Sequence, residues 1–409
     1  GLYEQAIDSL ETFLQQEKTD YSQETFAKYS IALALKRKGD LPAALEAFAS
    51  FRETSHSLSQ QSIARIHEAD ILLKTEAGDE ALAILSSIVD SETAIRVKTQ
   101  ARLLAVREYL DRKDYANLSR LLIGDTWDSD TMPEMALLAF LSIEAGDAFL
   151  ENDLARDALK AYQLVPSKET LIAQQSTKLD EVKSIFESRR QTVGMGGIMW
   201  TDFYEKLLRS ATAQLEALQQ AEDYSDALLL RRGRACLLAN RPFEAWLLFE
   251  RIARFPEGDL AGPAQFHWIL AAKELGDYSA AVEIAHEYLA RYPSSDLVDD
   301  ALYLIAHTLM DAHRFEEAIQ ALSELAESAA DAQLRIACLF QRGQCFLRKG
   351  DTIAAREDFG RIVSADPKTS LSEKARLWIG ITHFLERSFE EALLVLEALS
   401  HETQNAQLK

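Results

Sequence analysis

The stretch "QTVGMGGIMW", residues 191–200, places Gly194, Gly196 and Gly197 within four positions. Glycines so spaced can cradle a phosphate, because backbone N–H groups come close to an anion where no Cβ intervenes. That chemistry needs a strand before the loop and a helix N-terminus behind it. It also needs a Lys-Ser/Thr pair or a ribose-binding acid downstream. Here a helical pattern precedes, the spacing is GxGG, and "IMWTDF" follows. The stretch reads as a reversal between two long amphipathic helices, about 168–190 and 199–221, with a mobile tip for a partner as the alternative, and not as a nucleotide site.

Other reactive residue types are equally unassembled. Cys236, Cys338 and Cys345 show no CxxC spacing and read as buried free thiols. The eight histidines contain no HExxH, so no metal and no cofactor is expected. Glu316, Glu317, Glu390 and Glu391 open helices, where carboxylates favour the positive end of the helix dipole. GxSxG, Ser-Lys and Cys-His arrangements are missing from the sequence. No residue is assigned a catalytic role, and the chain is read as a non-enzyme.

The 44 basic residues face 65 acidic ones, a net charge of −21. Such a surface repels phosphate backbones and anionic membranes, so nucleic acid is not an expected partner. No apolar run reaches the roughly 18–20 residues that span a bilayer, so no membrane insertion by this segment is expected.

The elements are helices: apolar residues recur at i, i+3, i+4 and i+7 over stretches broken by short GD, RP or DP turns. The stretches repeat. "ELGDYSAAVEIA", "DAHRFEEAIQAL", "RKGDTIAAREDF" and "LERSFEEALLVL" align on Ala281, Ala318, Ala355 and Ala392, each 37 residues apart. Ala6, Ala44, Ala81, Leu118, Ala158 and Ala245 extend the series to ten anchors. A small residue lets one helix nestle against its partner. The larger residue four positions on (Leu10, Phe48, Tyr162, Phe249, Phe359) fills the space between pairs. Gly39, Gly276 and Gly350 supply the turn.

These residues resemble the tetratricopeptide repeat, with small residues also at Gly233, Ala306, Gly343 and Gly380, and Pro256, Pro293 and Pro367 closing second helices. The resemblance implies an all-α, tetratricopeptide-like α-α superhelical solenoid of about ten repeats plus one enlarged helix pair. The 36–37-residue period, with "RYPSSD" and "RFPEGD" at helix ends, is similar to repeats of bacterial envelope proteins. Those are the periplasmic Tol-Pal-associated protein and the outer-membrane assembly lipoprotein. A periplasmic or outer-membrane-associated setting follows from that resemblance alone, with a cytoplasmic one left open.

Three regions are expected: an N-terminal arm, 1–166, an enlarged helix pair with its Gly-rich turn, 167–223, and a C-terminal arm, 224–409. "GLYEQAIDSLETFL" matches the turn and second helix of a repeat, so the natural protein is expected to continue upstream. The repeat resemblance places a row of first-helix residues toward a concave groove of the C-terminal arm. They are Phe266, Tyr303, Phe340 and Leu377, then Leu270, His307, Gln344 and Ile381, then Met310, Leu347 and Phe384. The expected occupant is a protein or peptide, with Tyr303 and Phe340 central. The same aromatics could instead pack between adjacent first helices. The Lys/Asn clamp that some such repeats use for a C-terminal carboxylate is not reproduced at Leu230, Arg234, Phe266, Leu270, Tyr303 or His307. A scaffold in an envelope or secretion-related assembly is the first reading. A regulatory module that binds a signal peptide or controls an attached effector domain is the alternative.

Overall fold

The computed structural model describes residues 2–15, 20–124, 127, 135–192, 197–255 and 258–402. Every regular element among them is an α-helix. The first is α1 (Leu2–Leu14), followed by α2 (Tyr21–Lys38), α3 (Leu41–Thr54), α4 (Leu58–Lys74) and α5 (Gly78–Val89). Then come α6 (Ile95–Asp111), α7 (Tyr115–Ile123), α8 (Met135–Glu151) and α9 (Ala155–Gln163). The long pair is α10 (Lys168–Thr192) and α11 (Gly197–Gln220), and α12 (Ser225–Leu238) and α13 (Pro242–Ala253) follow. The chain continues with α14 (Ala261–Glu274), α15 (Tyr278–Arg291), α16 (Val298–Asp311) and α17 (Phe315–Ser328). It closes with α18 (Ala332–Lys349), α19 (Thr352–Ala365), α20 (Ser370–Leu385) and α21 (Phe389–Glu402). Two compact units form, residues 1–231 and 232–409, and within each a helix packs mainly on its sequence neighbours. That is the α-α solenoid.

One local rule makes each hairpin. The residue five before the anchor adopts a left-handed backbone in every pair from α2/α3 to α20/α21 except the long α10/α11. It is glycine at Gly39, Gly276 and Gly350, but Glu76, Lys113, Asp153, Asn240, His313 and Arg387 do the same at φ 58–64°. Those six side chains accept a conformation that costs roughly 1–2 kcal/mol without glycine, so packing of the helices overrides it. The aspartate of the GD signal has its own role. Asp40, Asp114, Asp277 and Asp351 each accept a hydrogen bond from the backbone N–H three residues on, capping the second helix.

Nine of the ten anchors are buried. The exception is Ala6 on α1, which is exposed while its neighbour Ile7 is covered. The residue four after the anchor presses on a small residue of its own first helix: Tyr162 on Gly146, Phe249 on Gly233, Phe359 on Gly343 and Leu396 on Gly380. In α14/α15 the sizes are exchanged, with Ile269 on the first helix and Ala285 on the second, both fully buried. The interior is filled by complementary volumes and not by one fixed residue.

The same large residue meets the next repeat. Phe48 stacks on His67, Phe249 on His267 and Phe359 on Trp378, with ring centroids 5.0, 5.4 and 6.3 Å apart. All three partners stand fourteen residues before an anchor. Burial pushes both histidines down to about 4, aided by Lys36 beside His67 and Arg234 beside His267. Asp70 opposes this at His67. The His67 ring lies between the Tyr29 hydroxyl at 3.0 Å and the Lys36 ammonium at 3.1 Å. A histidine whose folded pKa is depressed takes up protons more readily when unfolded, so stability falls as pH drops from 6.5 toward 4. The double variant His67→Phe/His267→Phe should therefore lose less stability than the wild type between pH 7 and about pH 5. The expected difference is about 1–2 kcal/mol per ring, the lower end reflecting partial exposure. Urea unfolding at the two pH values checks it, and equal losses would contradict it.

The enlarged pair leaves and rejoins the stack at one place. The Tyr224 hydroxyl donates to the Pro166 carbonyl at 2.6 Å, and Arg231 binds Asp147 of α8 at 2.9 Å. Between α10 and α11, Gln175 donates to the Ala211 carbonyl at 3.0 Å, and Leu171, Leu179, Val182 and Ala211 are buried. Gly194 and Gly196 lie outside the described residues, and Gly197 opens α11.

Candidate protein-binding face

In the second unit the row expected from the sequence runs over α14, α16, α18 and α20. Phe266, Leu270, Tyr303, His307, Met310, Gln344, Leu347, Leu377 and Ile381 are all half-buried. Phe340 is more deeply placed, 9 % exposed, with its ring edge-on to Phe359 at 5.6 Å, and it belongs to the core shared with Ile362 and Ala375. Phe384 is the reverse, 58 % exposed and edge-on to Phe389 at 5.6 Å. Tyr303 meets His307 edge-on at 4.7 Å. Burial raises the Tyr303 phenol and lowers the His307 imidazole; Lys273 lowers it further and Asp311 opposes. Lys273 and Asp311 pair at 3.0 Å. The row is thus a neutral, half-covered strip of aromatic, aliphatic and amide groups. Such a surface can take up more apolar area.

Glu316 is exposed and held below the usual carboxylate range by Lys349 at 3.0 Å; Glu317 is likewise lowered by its hydrogen bond from Arg314. Glu390 and Glu391 sit in the first turn of α21. All three cysteines are buried free thiols, and burial pushes Cys338 and Cys345 up to about 11. A thiol so raised is a poor nucleophile at neutral pH. Among the described residues no group of three His, Cys, Asp or Glu is placed to hold a metal ion. No helix among them is long and apolar enough to cross a membrane.

Two arrangements escaped the sequence reading. One is the histidine stacking described above, which shows only when the position fourteen before each anchor is compared across repeats. The other is a buried ion pair between α18 and α19. Arg342 donates from Nε and Nη2 to the two oxygens of Asp358 at 2.8 and 2.7 Å, and from Nη1 to Ser323 at 2.9 Å. Asp358 is 3 % exposed. The corresponding positions one repeat earlier hold Ile305 and Ala321, and one repeat later Ile379 and Val395. A charged pair breaking an apolar register was the available signal.

Residues 267–333 and 303–370 each match a family model described as tetratricopeptide repeat. Residues 267–370 carry tetratricopeptide repeats. The matched residues include α16 to α19 and hence Tyr303, His307, Met310, Phe340, Gln344 and Leu347 of the strip. No curated protein matches the chain. Among solved structures, MamA 41-end from Desulfovibrio magneticus RS-1 is 20% identical, over 43% of this chain and 94% of that one, with a TM-score of 0.36. A tetratricopeptide repeat protein from Parabacteroides merdae ATCC 43184 is 12% identical, over 88% of this chain and 99% of that one, with a TM-score of 0.33. The tetratricopeptide domain of P58(IPK) is 15% identical, over 94% and 95%, with a TM-score of 0.28.

Proposed function

We propose that this protein is a non-enzymatic scaffold that binds a partner protein or peptide along the first helices of its C-terminal repeats. The observation that carries the reading is the strip itself. One large residue recurs per repeat at Phe266, Tyr303, Phe340 and Leu377, flanked by half-covered Leu270, His307, Gln344 and Ile381. Rigid rings that stay partly exposed bury much area at little entropy cost when a partner arrives. Phe340, set deeper, supports the strip from beneath. Residues 1–166 and 224–409 act in this reading as two arms joined by the enlarged pair, whose base is closed by the Tyr224–Pro166 hydrogen bond. An envelope or secretion-related assembly is the setting we favour, supported by the 36–37-residue period and the "RYPSSD" and "RFPEGD" helix ends.

A photoreactive amino acid at Gln344, on the strip, should cross-link a discrete partner in the source cells. The same group at Glu283, exposed on the second helix α15, should not. Equal cross-linking at both positions, or at Glu283 only, would remove the strip from the proposal.

A further inference from the structure

Among the described residues of this acidic chain, one groove is lined by three arginines. It measures about 400 Å3 and lies among the C-terminal end of α17, α18 and α19, with Ile336 and Leu339 as apolar lining and Arg335, Arg342, Arg361 and Glu327 around them. None of these residues belongs to the strip. Asp358 is saturated by Arg342, and its contact with Arg361 is a longer 3.8 Å. The Arg361 side chain is 63 % exposed. Arg335 is fixed by donating from Nη1 to the Ala329 and Ala330 carbonyls at 2.7 and 2.9 Å. Three guanidiniums therefore face two carboxylates, Asp358 and Glu327, in a protein whose net charge is −21.

The fold gives no reason for this excess. Neighbouring repeats pack Ile305 and Ala321 where this one packs Arg342 and Asp358, and a buried ion pair is commonly no more stabilising than apolar residues of like volume. What the pair does accomplish is to hold one guanidinium rigidly at the groove wall, oriented by both carboxylate oxygens and Ser323. We infer that the groove docks an acidic segment of a partner protein, its carboxylate received by Arg361 and its flanking aliphatic side chain by Ile336 and Leu339. The inference rests on the reading of the chain as a protein-binding scaffold, and it adds a second contact surface to it. Charge complementarity selects the occupant: the groove offers guanidinium donors whose geometry suits a carboxylate, beside an apolar lining that suits Leu or Ile.

The test is selection of a random nonapeptide library, displayed on phage, against the full chain. Recovered peptides should be enriched in Asp or Glu adjacent to Leu or Ile. Their affinity should fall about tenfold or more for Arg361→Glu and weaken with added salt. Arg361→Gln should give an intermediate loss, and both variants should keep the wild-type circular-dichroism melt because the side chain is exposed. Recovered peptides without acidic enrichment, or indifferent to Arg361→Glu, would overturn the inference. Peptides lost on Gln344→Lys but not on Arg361→Glu would overturn it while leaving the strip standing. A concentration-dependent dimer abolished by Arg361→Glu would also overturn it, by making the occupant a second copy of the chain.

Discussion

Asp358→Ala should be among the most damaging single substitutions in the second unit, costing about 3–5 kcal/mol. Removing the carboxylate leaves the Arg342 guanidinium, 14 % exposed, with the Ser323 hydroxyl as its remaining side-chain acceptor in a site built for a charge pair. The double variant Arg342→Ile/Asp358→Ala should behave differently. It installs the residues that the preceding repeat already uses, Ile305 and Ala321, and removes both desolvated charges together. Its stability should lie within about 1 kcal/mol of the wild type or above it. Chemical denaturation of the three proteins measures the contrast. A double variant as unstable as the single one would show that packing, and not the unpaired charge, sets the cost.

Gly343→Ile should destabilise the α18/α19 pair by about 3 kcal/mol or more, since a Cβ at residue 343 would sit 2.8 Å from the Phe359 ring. Neither helix can retreat easily, because Phe359 also stacks on Trp378 of the next repeat. The remedy is present in the chain itself. The α14/α15 pair carries Ile269 and Ala285 at the matching positions, so Gly343→Ile/Phe359→Ala should recover much of the loss. Recovery should be incomplete, because alanine cannot replace the stacking on Trp378. Thermal melts of wild type, single and double variants decide it; a double variant less stable than the single one would contradict the exchange of volumes.

These two cases also show what the sequence made legible. On either side of the enlarged pair the anchors from Ala44 to Ala392 recur every 36–40 residues because each must allow the same close approach of helices, and a constraint that repeats is visible without coordinates. Gly39, Gly276 and Gly350 revealed the turn, whereas Glu76 or His313 in the same left-handed conformation did not, because packing imposes it against their preference. Ala6 matched the pattern yet is exposed, since identity at one position does not fix which side of α1 is covered. Along the strip, periodicity placed Tyr303 and Phe340 in one column but could not separate a half-covered ring from one enclosed by Phe359. Burial depends on the size of neighbours that lie 15 or more residues away. The Arg342–Asp358 pair was hidden for the same reason, being two ordinary charged residues until α18 and α19 close on each other.

In the proposed function a partner occupies the first-helix strip of the C-terminal repeats. Hydrogen exchange on the purified full chain, alone and in complex with the cross-linked partner once identified, reads this most directly. Partner binding should slow exchange of amides in α16 and α18, around Tyr303, His307 and Gln344, by about tenfold or more at saturation, while those in α15 and α17 change little. Protection confined to the second helices α15, α17 and α19, with α16 and α18 unchanged, would contradict it.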